Sequence, residues 1–189
     1  MPWERIVHIA LGMVGSLLEG ILNRVKTFSH LHRMYIIAIL SQIVQYYGDN
    51  LLGYAIFGSY ARGDNRKNSD LDILIILKRT KGFSQRIKEF VDNIEMKHEN
   101  LAQEIFEQED ILCELSPYIL AREEALKLQP VYFDLIEHNL IIYDPEKIIA
   151  RIIEATRQIL IKSGAQKVRR NNTWEWQMGS IGFGGGIEL

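Results

Sequence analysis

Two apolar runs, Leu51–Phe57 and Leu71–Leu77, flank a polar stretch at residues 58–70. Runs of this length and character read as strands, and an almost unbroken apolar run belongs in the middle of a sheet, covered on both faces. Any fold of this chain must therefore set two interior strands near each other and gather residues 58–70 at one end of them. The first strand leaves that end through Gly58-Ser59, and the second begins there with Asp70-Leu71-Asp72.

Each of these residues has a chemical use. Glycine lets backbone approach a ligand closely because it has no side chain. Ser59 suits the N-cap of a short helix over Tyr60–Arg62, whose free N–H groups and partial positive charge favour phosphate. Side chains two apart on a strand share a face, so Asp70 and Asp72 project together. Two carboxylates that close repel unless a cation lies between them. Mg2+, a hard ion that takes oxygen ligands and bridges carboxylates to triphosphate oxygens, is the natural choice. Arg62, Arg66 and Lys67 lie on the connecting loop, where they can neutralise triphosphate charge.

Gly-Ser, ten residues, then Asp-x-Asp resembles the signature of the DNA polymerase beta-like nucleotidyltransferase superfamily. Within it the chain is similar to the minimal nucleotidyltransferases over roughly residues 31–143. The resemblance implies that Gly58, Ser59, Arg62 and Arg66 bind nucleotide phosphates. It implies that Asp70 and Asp72 hold Mg2+ and act in catalysis, with ATP as the default donor. The superfamily usually adds a third carboxylate on a neighbouring strand. Glu114 is the expected candidate here, as catalytic residue and metal ligand, because it sits amid the apolar run Ile111–Leu120. Asp110 and Asp134 are worse placed. Family members often act as antitoxins that modify a HEPN-type toxin, so such a toxin is the expected protein partner. The alternatives are a small-molecule enzyme of the aminoglycoside-modifying kind and a binding module without turnover.

The remaining sequence sets boundaries. The expected fold is α+β: a small mixed β-sheet with helices packed on one face, the site on the other, and helical extensions at both ends. Residues 1–30 read as an N-terminal helical extension with a helix over 4–26, residues 31–145 as the nucleotidyltransferase domain, and residues 146–189 as a C-terminal helix and glycine-rich tail. Helices are expected at 31–47, 84–108, from Pro130 to 138, and at 146–162. Further strands are expected at 111–120 and 140–143. Arg5 followed by Ile6–Leu18 imitates a secretion signal, but Glu4, His8 and the later amphipathic pattern favour a helix outside a membrane. With 22 basic and 24 acidic residues the net charge is −2, which excludes a general nucleic-acid binder. The lone Cys113 can form no internal disulfide and reads as a packing thiol in a reducing, cytoplasmic setting. No Walker A loop is present, and the tail glycines fail the dinucleotide fingerprint. Arg24 and His30 have HEPN-like spacing by chance. The apolar N-terminal helices point to a homodimer.

Overall fold

The structure, a computed structural model, describes residues 20, 23–170 and 173–177. The expected helix over 4–26 lies mainly outside these residues, as do the tail glycines. Its described end, residues 23–28, is turn and irregular chain.

Helix α1 (His30–Tyr47) begins where the Ser29 hydroxyl accepts the His32 N–H at 3.0 Å, and it ends at Gly48 with φ 47°. Strand β1 (Leu51–Ile56) and the short helix α2 (Gly58–Arg62) follow, then β2 (Leu71–Leu77). The segment expected as one helix over 84–108 is in fact α3 (Phe83–Phe90), a π-helical turn (Val91–Glu95), a 3-10 turn (Met96–His98) and α4 (Glu99–Glu109). Its apolar stripe does not register the break, because Ile87, Phe90 and Ile94 resume at Leu101 and Ile105 on the same face. The interruption falls where His98, half-buried and polar, occupies the seam.

After Asp110, which turns the chain at φ 54°, residues 111–114 run outside the sheet, and the Leu112 N–H bonds the Lys67 carbonyl. Strand β3 therefore spans Leu115–Ala121, later than the run Ile111–Leu120 suggests. The single-turn helices α5 (Arg122–Ala125) and α6 (Tyr132–Leu135) come next, followed by β4 (Leu140–Tyr143). Helix α7 (Ile148–Lys162) starts with Asp144 accepting the N–H groups of Ile149 and Ala150. A hairpin of β5 (Gln166–Arg170) and β6 (Thr173–Gln177) follows, so part of the tail is ordered rather than loose.

The main sheet has the order β3-β2-β1-β4. β1 runs antiparallel to β2 and β4, while β2 and β3 are parallel. Alternation along the strands divides the core in two. On one face Tyr54, Ile56, Ile73 and Ile75 meet α1 residues such as Ile36, Leu40 and Ile43, together with Phe90, Ile94 and Ile105. On the other, Leu52, Ala55, Leu74 and Ile76 meet Ile148, Ile149 and Ile152 of α7, with Tyr132 and Leu135 of α6. At one end of this second face the exposure rises from the buried Leu74 to a half-buried residue. Asp72, next in phase after Leu74, emerges there.

Candidate active site

The end of β1 and the start of β2 are locked together: the Phe57 N–H bonds the Asp72 carbonyl at 3.1 Å. The chain then turns at Gly58, where φ is +65°, a conformation that L side chains rarely adopt. A Cβ added to Gly58 would lie 2.0 Å from Asp72 Oδ2. The glycine is thus required twice over, by its dihedral and by the carboxylate resting on it. Phe57 occupies the N-cap position of α2 and no side chain caps the helix. Ser59 is therefore not the cap expected from sequence. It lies in the first turn, and among the described residues its hydroxyl has no hydrogen-bond partner, beside N–H groups that have none inside the helix.

Asp72 is partly buried, and its carboxyl is pushed from an ordinary 3.8 up to about 6. Burial is the main cause, and the negative charge of Asp70 is the second. The neighbouring Ser116 hydroxyl and the Arg62 guanidinium pull the other way, while Asp134 adds to the rise. Asp70 itself is exposed. Arg62 stacks its Nε against Asp64 Oδ2 at 3.2 Å but remains near enough to act on Asp72. Arg66 is exposed, and among the described residues only its backbone is engaged: its N–H donates to Ser69 Oγ and its carbonyl accepts the Ser69 N–H. Lys67 instead donates to the Glu109 carbonyl at the end of α4, so its charge answers that helix terminus.

Glu114 does not join the acidic pair. It lies one residue before β3, is exposed, and its charge acts on Glu95. Among the described residues, no three His, Cys, Asp or Glu side chains converge in a metal-holding group. The residue that faces Asp72 from β3 is Ser116, its partner in the parallel register. Ser116 and Asp134 are the neighbours that sequence reading missed or undervalued. The register of two distant segments brings them in, and no local pattern announces that. The donor set still fits a hard divalent cation: two carboxylates with hydroxyls beside them, and a buried acid whose surroundings are short of positive charge.

Behind the loop, Tyr60 is buried and its hydroxyl lies 3.1 Å from His32 Nε2, while His32 Nδ1 accepts the Phe28 N–H. That pairing places the ring proton on Nε2, and burial holds the imidazole neutral by lowering its pKa. Burial pushes the Tyr60 hydroxyl up to about 12, against the opposing pull of the neighbouring Asn65 amide. Asn65, fully buried, exchanges two bonds with Lys26: its Nδ2 donates to the Lys26 carbonyl, and Lys26 Nζ donates to its own carbonyl. The loop between the two motifs is thus pinned to the segment that precedes α1. Beside α2, Arg24, Ala61, His138, Asn139 and Arg157 border a polar recess of about 510 Å³.

A family model described as a nucleotidyltransferase domain matches residues 34–159. The chain belongs to that family. Among curated proteins, none matches. Solved structures with similarity include a toxin–antitoxin complex with AMP-PNP, at 16% identity and a TM-score of 0.40, covering 67% of this chain and 90% of that one. Another is a tri-AMPylated Shewanella oneidensis HEPN toxin in complex with an MNT antitoxin, at 12% identity and a TM-score of 0.38, covering 69% and 92%. A MntA–HepT toxin–antitoxin complex is similar at 12% identity and a TM-score of 0.35, covering 66% and 87%. The matched region takes in the mixed sheet, the Gly-Ser turn and the acidic pair. The transferase assignment therefore covers the part of the chain in which the candidate site lies. Among the described residues, no helix is long and apolar enough to cross a membrane.

Proposed function

We propose that this nucleotidyltransferase domain transfers AMP from ATP to a hydroxyl on a protein acceptor, and that a HEPN-type toxin is that acceptor. The observation that carries the reading is the contact of Asp72 with the Gly58 turn, which puts a phosphate cradle and a paired carboxylate against each other. Ser59 and the first-turn N–H groups of α2 receive the triphosphate, and Arg62 and Arg66 offset its charge. Asp70 and Asp72 would hold Mg2+, which would supply positive charge against the departing pyrophosphate. Ser116, opposite Asp72 in the parallel register, sets a hydroxyl beside the carboxylate. The acceptor oxygen attacks the α-phosphorus, the bond to pyrophosphate breaks, and the acceptor proton leaves to solvent or to a nearby carboxylate. Most of the catalysis is positioning and electrostatics. A net charge of −2 suits a protein acceptor better than a nucleic acid.

The test is to incubate the purified chain with α-labelled ATP, MgCl2 and candidate HEPN-type proteins. Label on the acceptor, lost in Asp70→Asn/Asp72→Asn, is the expected result. An acceptor that stays unlabelled while ATP binds normally would overturn the reading.

A second reading has one observation in its favour. Glu114 stands apart from Asp70 and Asp72, so the usual third carboxylate is not assembled. A module that binds nucleotide or partner without turnover would have no need of it. Full cellular activity in the Asp70→Asn/Asp72→Asn double variant would favour that reading.

A further inference from the structure

β3 is an outer strand of the sheet and carries no charged residue along Leu115–Ala121. Proteins usually protect such edges with charge, proline or a covering element, because the unpaired backbone groups otherwise recruit another strand. The bond from the Leu71 N–H to the Glu114 carbonyl fixes the phase of the parallel ladder. Ser116, Tyr118 and Leu120 consequently turn their backbone groups toward β2, while Leu115, Pro117 and Ile119 turn theirs outward. Pro117 lacks an N–H at one outward position, which suits an edge. The outward N–H of Ala121 is closed by Glu124 at 2.8 Å. Among the described residues, the outward groups of Leu115, Pro117 and Ile119 have no protein partner.

A groove of about 310 Å³ runs along this edge, bordered by Phe83, Arg86, Glu124, Lys127 and Gln129 as well as the strand, with Leu115 and Pro117 partly exposed and Ile119 buried at its floor. Phe83 is exposed, with the Arg86 guanidinium over its ring. Arg86 is almost wholly buried and bidentate to Glu124, yet its Nε has no partner. The groove sets two cations, Arg86 and Lys127, against one carboxylate, Glu124, and so has a net positive charge. The same strand leads directly to the acidic pair, since Ser116 stands opposite Asp72 in the parallel register and Tyr118 is next on that face.

We propose that the outer edge of β3 receives the protein acceptor as an extended segment, hydrogen-bonded as an added strand, with an acidic residue flanking its hydroxyl residue. The proposal rests on the transfer reading above and specifies how its acceptor is recognised. An added strand lies about 5 Å beyond β3 and about 10 Å from β2. A long hydroxylated side chain, tyrosine above all, then extends over Ser116 toward Asp72. Backbone pairing gives affinity, and Lys127 selects the flanking acid.

The test uses short tyrosine-centred peptides rich in β-branched residues, with acidic or basic flanks, each also made with N-methyl groups on one or the other alternate set of amides. Peptides are titrated into the full chain, and hydrogen exchange is read at Ile119. Acidic-flanked peptides should bind and protect the Ile119 amide. Methylation in one phase should weaken binding about tenfold per blocked bond, and in the other phase leave it unchanged. Lys127→Glu should shift the preference to basic flanks. The proposal is overturned if no peptide binds, if both phases of methylation act alike, or if Ile119 stays unprotected. Protection that appears with protein concentration alone, together with a dimer in sedimentation, would assign the edge to a second copy and overturn it too. Peptides that bind and protect Ile119 but accept no AMP would leave the edge standing and sink the transfer reading. Peptides that take AMP without protecting Ile119 would do the reverse.

Discussion

Gly58 and Asp72 are a single device seen from two residues. Gly58→Ala must relax a positive φ and displace the Asp72 carboxylate from a 2.0 Å clash. We expect it to cost about 3 kcal/mol in denaturant titration and to abolish transfer. Asp72 has a pH signature with a definite sign. Its folded pKa of about 6 exceeds its ordinary 3.8, so the native state holds the proton more tightly than the unfolded chain does. That contribution is complete below about pH 4 and is lost as pH rises through 6. Asp72→Asn should therefore raise the melting temperature at pH 8, by the equivalent of about 2 kcal/mol, and leave it unchanged at pH 4. Scanning fluorimetry across that range checks the sign, and an unchanged melting temperature at pH 8 would contradict it. These two residues were legible because Gly-Ser and Asp-x-Asp are local patterns with obvious chemistry. Glu114 misled for an instructive reason: it has the same odd–even phase as Ser116, but β3 starts one residue too late to carry it.

At the scale of elements, the Arg86–Glu124 pair ties α3, on one face of the sheet, to α5, on the other, around the end of β3. The arginine is buried and the carboxylate is half-exposed. Glu124 responds by titrating below the usual carboxylate range, chiefly through its bond to Arg86. Glu124→Ala leaves a buried guanidinium unpaired and the Ala121 N–H uncapped. We expect a loss of about 2 kcal/mol, smaller than for a fully buried pair because solvent reaches the carboxylate. Arg86→Met/Glu124→Gln should recover part of it in the same melt. Strands β1, β2 and β4 and helices α1 and α7 were readable from apolar runs and turn residues. The π turn at Val91–Glu95 was not, because the tighter 3-10 turn at Met96–His98 follows it at once and brings the apolar stripe back into phase. Nor were the Asn65–Lys26 exchange and the Tyr60–His32 bond, which join segments far apart in sequence.

For the whole molecule, the sheet separates two apolar layers that share their strands. Ile43 belongs to one layer and Ile149 to the other, both fully buried. Ile43→Ala and Ile149→Ala should each cost about 2–5 kcal/mol. Because β1 and β2 contribute side chains to both layers, each variant should still unfold in one step. Circular dichroism and tyrosine fluorescence should trace the same curve, and separated midpoints would mean that the layers unfold independently. Helices were expected on one face of the sheet, whereas α6 and α7 cover the second face as well, and the order β3-β2-β1-β4 depends on non-local pairing that no short window of sequence encodes. The end of the sheet beside Asp72 has a kinetic corollary. The Gly58 turn lies inward along it, and the edge of β3 lies toward the outside. A donor seated against the turn would be covered once an acceptor settled beyond it, so the donor must arrive first. Velocity patterns should then show an ordered ternary complex, with excess acceptor trapping the empty protein.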